Sequence, residues 1–297
     1  MPSIYYYFGF AFVLAVMMSL RGYRKGSLDA SGARAAFVVG LLSCTASVRF
    51  GLTLIAFFLS SSKVTKIGAK RKCEVEEGHQ EGGNRNWVQV AANGAVGTTL
   101  AAVFLVRTWR GGLHPEAPLD WASAPLECAL QAAYLCHYAC CNADTWASEL
   151  GVLGRSKPRL VTTMAQVPVG TNGGVSVGGT AASVAGGLFI GLVFYSLGLA
   201  LGPAPPAVQT ALAAPPPQWV LVPFGAVAGF FGSLVDSLLG ATVQYSGYCE
   251  SKRLVVGAPG PTVRHVAGRP LLDNHQVNLA ASIVTAAAGA AAARYVF

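Results

Sequence analysis

Residues 175–201 read VSVGGTAASVAGGLFIGLVFYSLGLAL, 27 positions without a charge. About 20 consecutive apolar residues are enough to cross the hydrocarbon core of a bilayer, so this stretch reads as a membrane-spanning helix. Comparable runs recur at 4–20, 35–60, 88–106, 125–143, 219–239 and 277–296. Composition agrees: 53% of residues are hydrophobic and 11% charged, against roughly 25% charged in an average soluble domain, and the mean hydropathy is +0.48. The reading is an all-α, polytopic membrane helix bundle with about seven or eight transmembrane or half-membrane helices, forming a single integral-membrane domain over 1–297.

The first run carries its charges after the apolar stretch, and no small-residue cleavage site precedes Arg21. It is therefore expected to stay as a helix, not to be removed as a signal peptide. With no Ser- and Arg-rich leader ahead of it, the endoplasmic reticulum or another endomembrane is the expected location.

Charge orients the bundle. Of 21 Lys and Arg residues, 17 fall in the segments 21–34, 60–87, 148–174 and 241–276, while the connections 107–124 and 202–218 hold only Arg107 and Arg110. The positive-inside rule turns the four basic segments toward the cytosol. For 21–34 and 60–87 to share a side, the run between them must cross an even number of times, and Arg49 near its middle suggests a hairpin of two half-helices. The connection 202–218, with six prolines, is expected to be extended. The net charge of +8 suits anionic headgroups. Nucleic acid is excluded as a partner, because the basic loops carry no aromatic stacking platform.

The seven cysteines show no zinc spacing and no disulfide framework. Cys136, Cys140 and Cys141 with His137 fall at helical spacing and read as packing residues.

The polar motifs lie on or near the basic side. Residues 141–151, CNADTWASELG, place Asp144 and Glu149 at the end of an apolar run. Residues 60–66 join hydroxyls to Lys63 and Lys66, and 82–87 read GGNRNW, a combination suited to an anion. Residues 168–180 form a glycine-rich turn containing Thr171, Asn172 and Gly173, which feeds a helix that opens on Gly178-Gly179-Thr180. Such a turn aims free N–H groups at a phosphate. No Gly-Lys-Ser/Thr follows, so it is not a Walker A loop, and Gly225, Gly229 and Gly232 read as packing glycines. Asp236 lies deep in an apolar run, where an ionisable group costs several kcal/mol unless paired or hydrated. Asn93 and, two turns after Asp236, Gln244 are placed to face the same cavity. Asp273 or Asn274 suits a cap for the last helix. Asn278, one turn after Asn274, lies where capping no longer applies.

Residues 25–29 with 31–33, 60–66, 81–93 (EGGNRNWVQVAAN), 144–151, 158–175 (PRLVTTMAQVPVGTNGGV), 232–244 (GSLVDSLLGATVQ) and 273–278 resemble, in order and spacing, the transmembrane protein 19 family. That family is similar to plant phytyl-phosphate kinases, through residues 144–151, Thr162-Thr163, Gly170-Thr171 and Gly179-Thr180. A fainter likeness reaches CTP-dependent phytol and dolichol kinases. The Asn-Arg-Asn-Trp block at 84–87 belongs to the transmembrane protein 19 branch, and Asn172 stands where the plant kinases carry an acid.

Motifs and resemblance together lead to phosphoryl transfer and to a set of residue roles. Asp144, Glu149 and Asp236 are the expected catalytic Mg²⁺ holders, and Thr171, Asn172, Gly173 and Thr180 the contacts to a nucleoside triphosphate, with CTP favoured by the resemblance. Lys63, Lys66 and Arg159 would neutralise phosphates, and Asn93, Gln244, Asp273, Asn274 and Asn278 would complete the pocket. The implied acceptor is a prenyl or phytyl monophosphate whose tail lies between small-residue helices. A lipid-phosphate or nucleotide-linked transporter, and a nucleotidyltransferase forming a CDP-lipid, remain open alternatives.

Overall fold

A bilayer core offers backbone N–H and C=O groups no partner but one another, so apolar runs inside it fold as helices. The computed structural model describes residues 4–73, 84–154, 156–203 and 214–297. Among these are eight α-helices: α1 (Ile4–Arg24), α2 (Ala30–Ala46), α3 (Val48–Cys73), α4 (Trp87–Gly111), α5 (Pro125–Gly151), α6 (Val177–Leu201), α7 (Leu221–Val243) and α8 (Asn274–Val296). Six of them, α1, α3, α4, α6, α7 and α8, are long and apolar enough to cross a membrane. This is a polytopic helical membrane bundle.

The helix that organises the bundle is one of the least apolar. α5 carries Glu127, Gln131, His137, Asn142, Asp144 and Glu149 along its 27 residues, and it packs against α3, α4, α6, α7 and α8. Surrounded in this way, it buries almost every residue from Glu127 to Ala143. Its neighbours close a ring in which α3 meets α6, α6 meets α7, α7 meets α8 and α8 meets α4. α2 bridges α3 and α4, and α1 lies on α2. Small residues make the contacts close. A Cβ on Gly229 would lie 2.6 Å from Gly187 Cα, one on Gly225 2.7 Å from Gly187 O, and one on Gly232 2.5 Å from Cys140 Sγ. The three glycines serve packing, as the sequence suggested, and Cys136, Cys140, Cys141 and His137 are all buried in α5.

The run 35–60 does break once, but into α2 of 17 residues and α3 of 26, not into two half-helices. The break is built by a carboxylate from the connection after α4. Glu116, buried, accepts from Ser47 Oγ (2.8 Å), Val48 N (2.7 Å) and Arg49 N (3.3 Å), and so caps the start of α3. Arg49 donates to Ala117 O (2.9 Å) and Gln131 Oε1 and lies 4.5 Å from the Phe194 ring centroid. Phe50 beside it stacks on Tyr134, with centroids 3.9 Å apart. The sequence could not show that a residue 67 positions away would satisfy this turn.

With α2 and α3 as separate helices, odd-numbered helices run toward one end and even-numbered helices away from it. The four basic connections therefore meet at that end. Asn84 N donates to Gly26 O (3.2 Å), which ties the α1–α2 connection to the α3–α4 connection. The two later connections are not plain loops. Arg159–Leu160 (β1) pairs with Gly174–Val175 (β2), and Ser246–Cys249 (β3), Leu254–Val256 (β4) and Val263–Ala267 (β5) form an antiparallel sheet in the order β4-β3-β5. The expected connector at 202–218, Gly82-Gly83 and Arg155 lie wholly or partly outside the described residues, as do the side chains of Lys70, Arg71 and Lys72.

Candidate functional site

Because α2, α4, α6 and α8 all begin at the same end, their positive dipole ends converge there. Each start is capped by its own sequence. Asp29 Oδ1 accepts from Gly32 N (2.7 Å), Asn86 Oδ1 from Gln89 N (3.1 Å), Ser176 Oγ from Gly179 N (3.1 Å) and Asp273 Oδ1 from Gln276 N (2.9 Å). Between these starts lies a cavity of about 760 Å³, which also receives the last turns of α5 and α7 and the β1–β2 loop.

Two carboxylates on different helices face each other across it. Asp144, on α5, is the charged neighbour of Asp236, on α7. With its amide nitrogen turned inward, Asn278 donates to Asp236 Oδ2 (3.2 Å) and to Asn274 O (2.9 Å). Glu149 lines the cavity too, but at five residues along α5 it is rotated roughly 140° from Asp144 at 3.6 residues per turn. It faces Arg85, whose guanidinium is lowered by burial and held up by the Glu149 charge. Among the described residues no three His, Cys, Asp or Glu side chains lie close enough to share one metal ion. The expected trio thus divides into a facing pair, Asp144 and Asp236, and a separate Glu149 beside Arg85.

Among the described residues Arg85 is the Lys or Arg that lines this cavity, and the expected Lys63, Lys66 and Arg159 do not. Its Nη1 donates to Ser62 Oγ (3.0 Å) and its Nη2 to Thr65 Oγ1 (3.4 Å). Its backbone is fixed between the start of α2 and the loop before it: Arg85 N donates to Ser27 O (3.0 Å) and Asp29 N to Arg85 O (3.1 Å). A Cβ on Gly32 would come within 2.0 Å of that same oxygen. Lys63 and Lys66 share the helix with Ser62 and Thr65 but point outward; both are exposed, and Lys66 Nζ donates to Lys25 O (3.4 Å). Arg159 donates to Met164 O (2.7 Å) and so stiffens the β1–β2 loop.

That loop brings Thr171, Asn172 and Gly173 to the cavity wall together with Thr180 on α6. Thr171 Oγ1 donates to Pro168 O (2.8 Å). Asn172 is committed to the sheet, its N donating to Ser246 Oγ (3.0 Å) and its Nδ2 to Tyr245 O (3.2 Å). Gly173 has φ +75°, and a Cβ there would lie 2.5 Å from Ala241 Cβ and 2.6 Å from Ser237 O. Asn93, Gln244, Asn274 and Asn278 also line the cavity, whereas Asp273 stands outside the wall as the α8 cap, in a reciprocal box with Gln276. Asn93 Nδ2 donates to Gln89 O (3.1 Å), and its carbonyl is met by His137 Nε2 (3.0 Å). Sequence reasoning had not singled out Asn142. Fully buried, it accepts from Ser60 Oγ (2.8 Å) and Ser61 Oγ (3.1 Å) and donates to Gly186 O (2.9 Å), locking α3, α5 and α6 beneath the cavity.

Comparison with known proteins agrees with this architecture. Protein PGR of Arabidopsis thaliana is 42% identical over 289 residues, 97% of this chain and 96% of the relative. An uncharacterized membrane protein of Methanocaldococcus jannaschii is 26% identical over 273 residues, 92% of this chain and 87% of its own. The chloroplastic protein VTE6 of Arabidopsis thaliana is 27% identical over 218 residues, 73% of this chain and 56% of its own. No solved structure matches the chain with significance. The family model described as integral membrane protein DUF92 matches residues 13–286, and the chain belongs to that family.

Proposed function

We propose that this protein is a membrane-embedded isoprenoid-phosphate kinase that transfers a phosphoryl group from a nucleoside triphosphate, CTP by preference, to a lipid monophosphate. The observation that carries the reading is the meeting of helix N-termini, one buried-side guanidinium and a facing carboxylate pair in a single cavity at one end of the bundle. Phosphoryl transfer asks for positioning and charge neutralisation more than for covalent help from the protein. The motif likeness to the transmembrane protein 19 and phytyl-phosphate kinase families supports the same chemistry.

In the proposed step an oxygen of the acceptor phosphate attacks the γ-phosphorus in line. The bond from that phosphorus to the β–γ bridging oxygen breaks, and the nucleoside diphosphate leaves with the electron pair. The acceptor is already anionic at neutral pH, so no general base is required. Arg85 and the N–H groups at the starts of α4 and α6 would hold phosphate oxygens, and Thr171 and Thr180 would orient them. Asp144 and Asp236 fit Mg²⁺, an ion that takes one or two carboxylates and fills its octahedron with water and substrate phosphate. When bound, that ion would neutralise the charge gathered on the phosphates. Glu149 falls outside this set and serves to position Arg85.

By the positive-inside rule the cavity faces the cytosol in an endoplasmic-reticulum or other endomembrane setting. A plastid membrane, with the same basic face toward the stroma, is the alternative that the chloroplastic relative brings in.

Purified protein in detergent with Mg²⁺, farnesyl, geranylgeranyl or phytyl monophosphate and each labelled nucleoside triphosphate tests the proposal. A prenyl diphosphate carrying the donor's γ-phosphoryl group supports the kinase. A CDP-lipid supports the nucleotidyltransferase instead, and binding of lipid phosphate without product supports the carrier.

A further inference from the structure

One strand of the three-stranded sheet reaches the cavity, and it does so side-on. Val255 and Val256 of β4 and the Gly257 that follows line the cavity, whereas no described residue of β3 or β5 does. Successive side chains of a strand point to opposite faces of its sheet. A cavity lying on a face would touch alternate residues of neighbouring strands. One that touches consecutive residues of β4 alone meets the edge of that strand. In the order β4-β3-β5 this edge is a free one.

The hydrogen-bond register says what the edge offers. Glu250 N donates to Thr262 O (3.1 Å) on the β5 side of β3, and Cys249 O accepts from Arg253 N (2.8 Å) on the other side. Main-chain groups of an antiparallel strand alternate in this way, so Gly247 and Cys249 face β4, with Val256 and Leu254 opposite them. Val255, between those two, turns its N–H and C=O away from β3 and out of the sheet edge. Among the described residues neither group meets a backbone partner across that edge. Val255 and Val256 are 4% and 6% exposed, and a buried main-chain donor or acceptor left unpaired is costly. The sheet is also fastened to the loop that carries Thr171 and Gly173, because Ser246 Oγ accepts from Asn172 N (3.0 Å).

We propose that the free edge of β4 reads the base of a bound nucleotide, with Val255 N–H donating to the base and Val255 C=O accepting from it. A nucleobase carries a donor and an acceptor side by side on its Watson–Crick edge, the complement of one outward-facing strand residue. A flat ring held there takes the place of a next strand, about 4.8 Å from β4. A single outward residue is too little for an added peptide strand, and it is reached through the cavity that also holds Arg85, Thr171 and Thr180. A compact ring joined to a phosphate chain suits both ends of that space. The Asn172–Ser246 bond holds the base edge and the phosphate loop at a fixed spacing. That the nucleotide is a phosphoryl donor rests on the kinase reading above; the base edge requires only that a nucleotide bind.

The test compares CTP with ribose 5-triphosphate, which lacks the base, on the purified full-length protein in detergent. Hydrogen exchange of the peptide covering 254–257 should slow with CTP and stay unchanged with ribose 5-triphosphate. Protection that is equal with the two ligands, or absent with CTP, would overturn the proposal. Proline is tolerated on an edge strand where its missing N–H faces away from the sheet, so Val255→Pro removes the proposed donor and no β3 bond. It is expected to weaken CTP binding about tenfold and leave ribose 5-triphosphate within about twofold, with an unchanged thermal transition. Equal loss of both ligands in a folded Val255→Pro would overturn the proposal; if that variant unfolds, exchange in the parent decides alone. Both readouts are of binding, so base-dependent protection without phosphoryl transfer would sink the kinase reading and leave the base edge standing. Transfer that proceeds equally well from ribose 5-triphosphate would do the reverse.

Discussion

Replacing Gly173 by Ala puts the β1–β2 loop under a defined strain. The residue sits at φ +75°, where a side chain costs about 1–2 kcal/mol. The added Cβ would also lie 2.5 Å from Ala241 Cβ and 2.6 Å from Ser237 O. Neither neighbour is the flexible end of a long side chain, so relief requires the loop to lift from α7, and overpacking of this kind costs about 1–3 kcal/mol. The two together make about 2–5 kcal/mol against the closed loop. At 1.4 kcal/mol per factor of ten, opening should become favoured by roughly 30-fold to several thousand-fold. Hydrogen exchange of the detergent-solubilised protein reads this directly: amides of 169–174 should exchange faster by about that factor, while α5 stays protected. Gly178→Ala is the control, since a Cβ there meets nothing within 4 Å, and exchange in the loop should not change. Exchange of the loop within about twofold of the parent in Gly173→Ala would refute the claim that this contact holds the loop on α7.

Three further outcomes follow from the geometry. Arg85→Lys should weaken binding of a phosphate ligand by about tenfold, since one ammonium cannot serve Ser62 and Thr65 as a fork does, whereas Lys63→Ala should leave it within about twofold; calorimetry on the two variants checks the pair. Gly229→Leu should lower thermal stability by about 1–3 kcal/mol or more, because its Cβ alone would lie 2.6 Å from Gly187 Cα, and Gly9→Ala, open to 4 Å around, should not. Hydrogen bonds from Ser251, then Thr262, pull the Cys249 thiol down to about 7. Because the thiol is buried, NMR titration of cysteine Cβ shifts reads it without reagent access and should show a midpoint near pH 7, which Ser251→Ala should move upward. The depressed value means that the thiolate's contribution to folding is complete above the ordinary thiol value of 9.0 and is lost as pH falls through about 7.

Much of the fold was legible because the bilayer imposes it. Helix-length apolar runs and the placement of 17 of 21 basic residues in four connections required those connections to share an end, and that in turn required the run 35–60 to turn back. The turn's chemistry was not legible, because Glu116 reaches Ser47 and Val48 from a distant connection. In sequence α5 looks like one more span, and its polar residues and five packed neighbours mark it as the central helix of the bundle. In the site, residue type was a better guide than residue phase. Asp144, Asp236, Asn93, Gln244, Asn274 and Asn278 do share one cavity, but Lys63 and Lys66 turn outward on the helix whose Ser62 and Thr65 turn in. Arg85 stands in plain view within GGNRNW, where sequence alone marks it by family likeness and not by its place in the site. Its place becomes evident only when the backbone of 84–86 is seen fastened to Ser27 and Asp29. Asp273 shows the opposite case, a carboxylate in a polar run whose oxygen is already occupied by the start of α8.

In the proposed kinase, phosphoryl transfer takes place between Asp144 and Asp236. It is tested most directly by single-turnover transfer from γ-labelled CTP to geranylgeranyl monophosphate in Asp144→Asn, Asp236→Asn and Glu149→Gln, each checked for folding by its thermal transition. The two Asp variants should lose transfer while remaining folded, and Glu149→Gln should retain a measurable rate with weakened phosphate binding. Normal transfer in both Asp variants would contradict it.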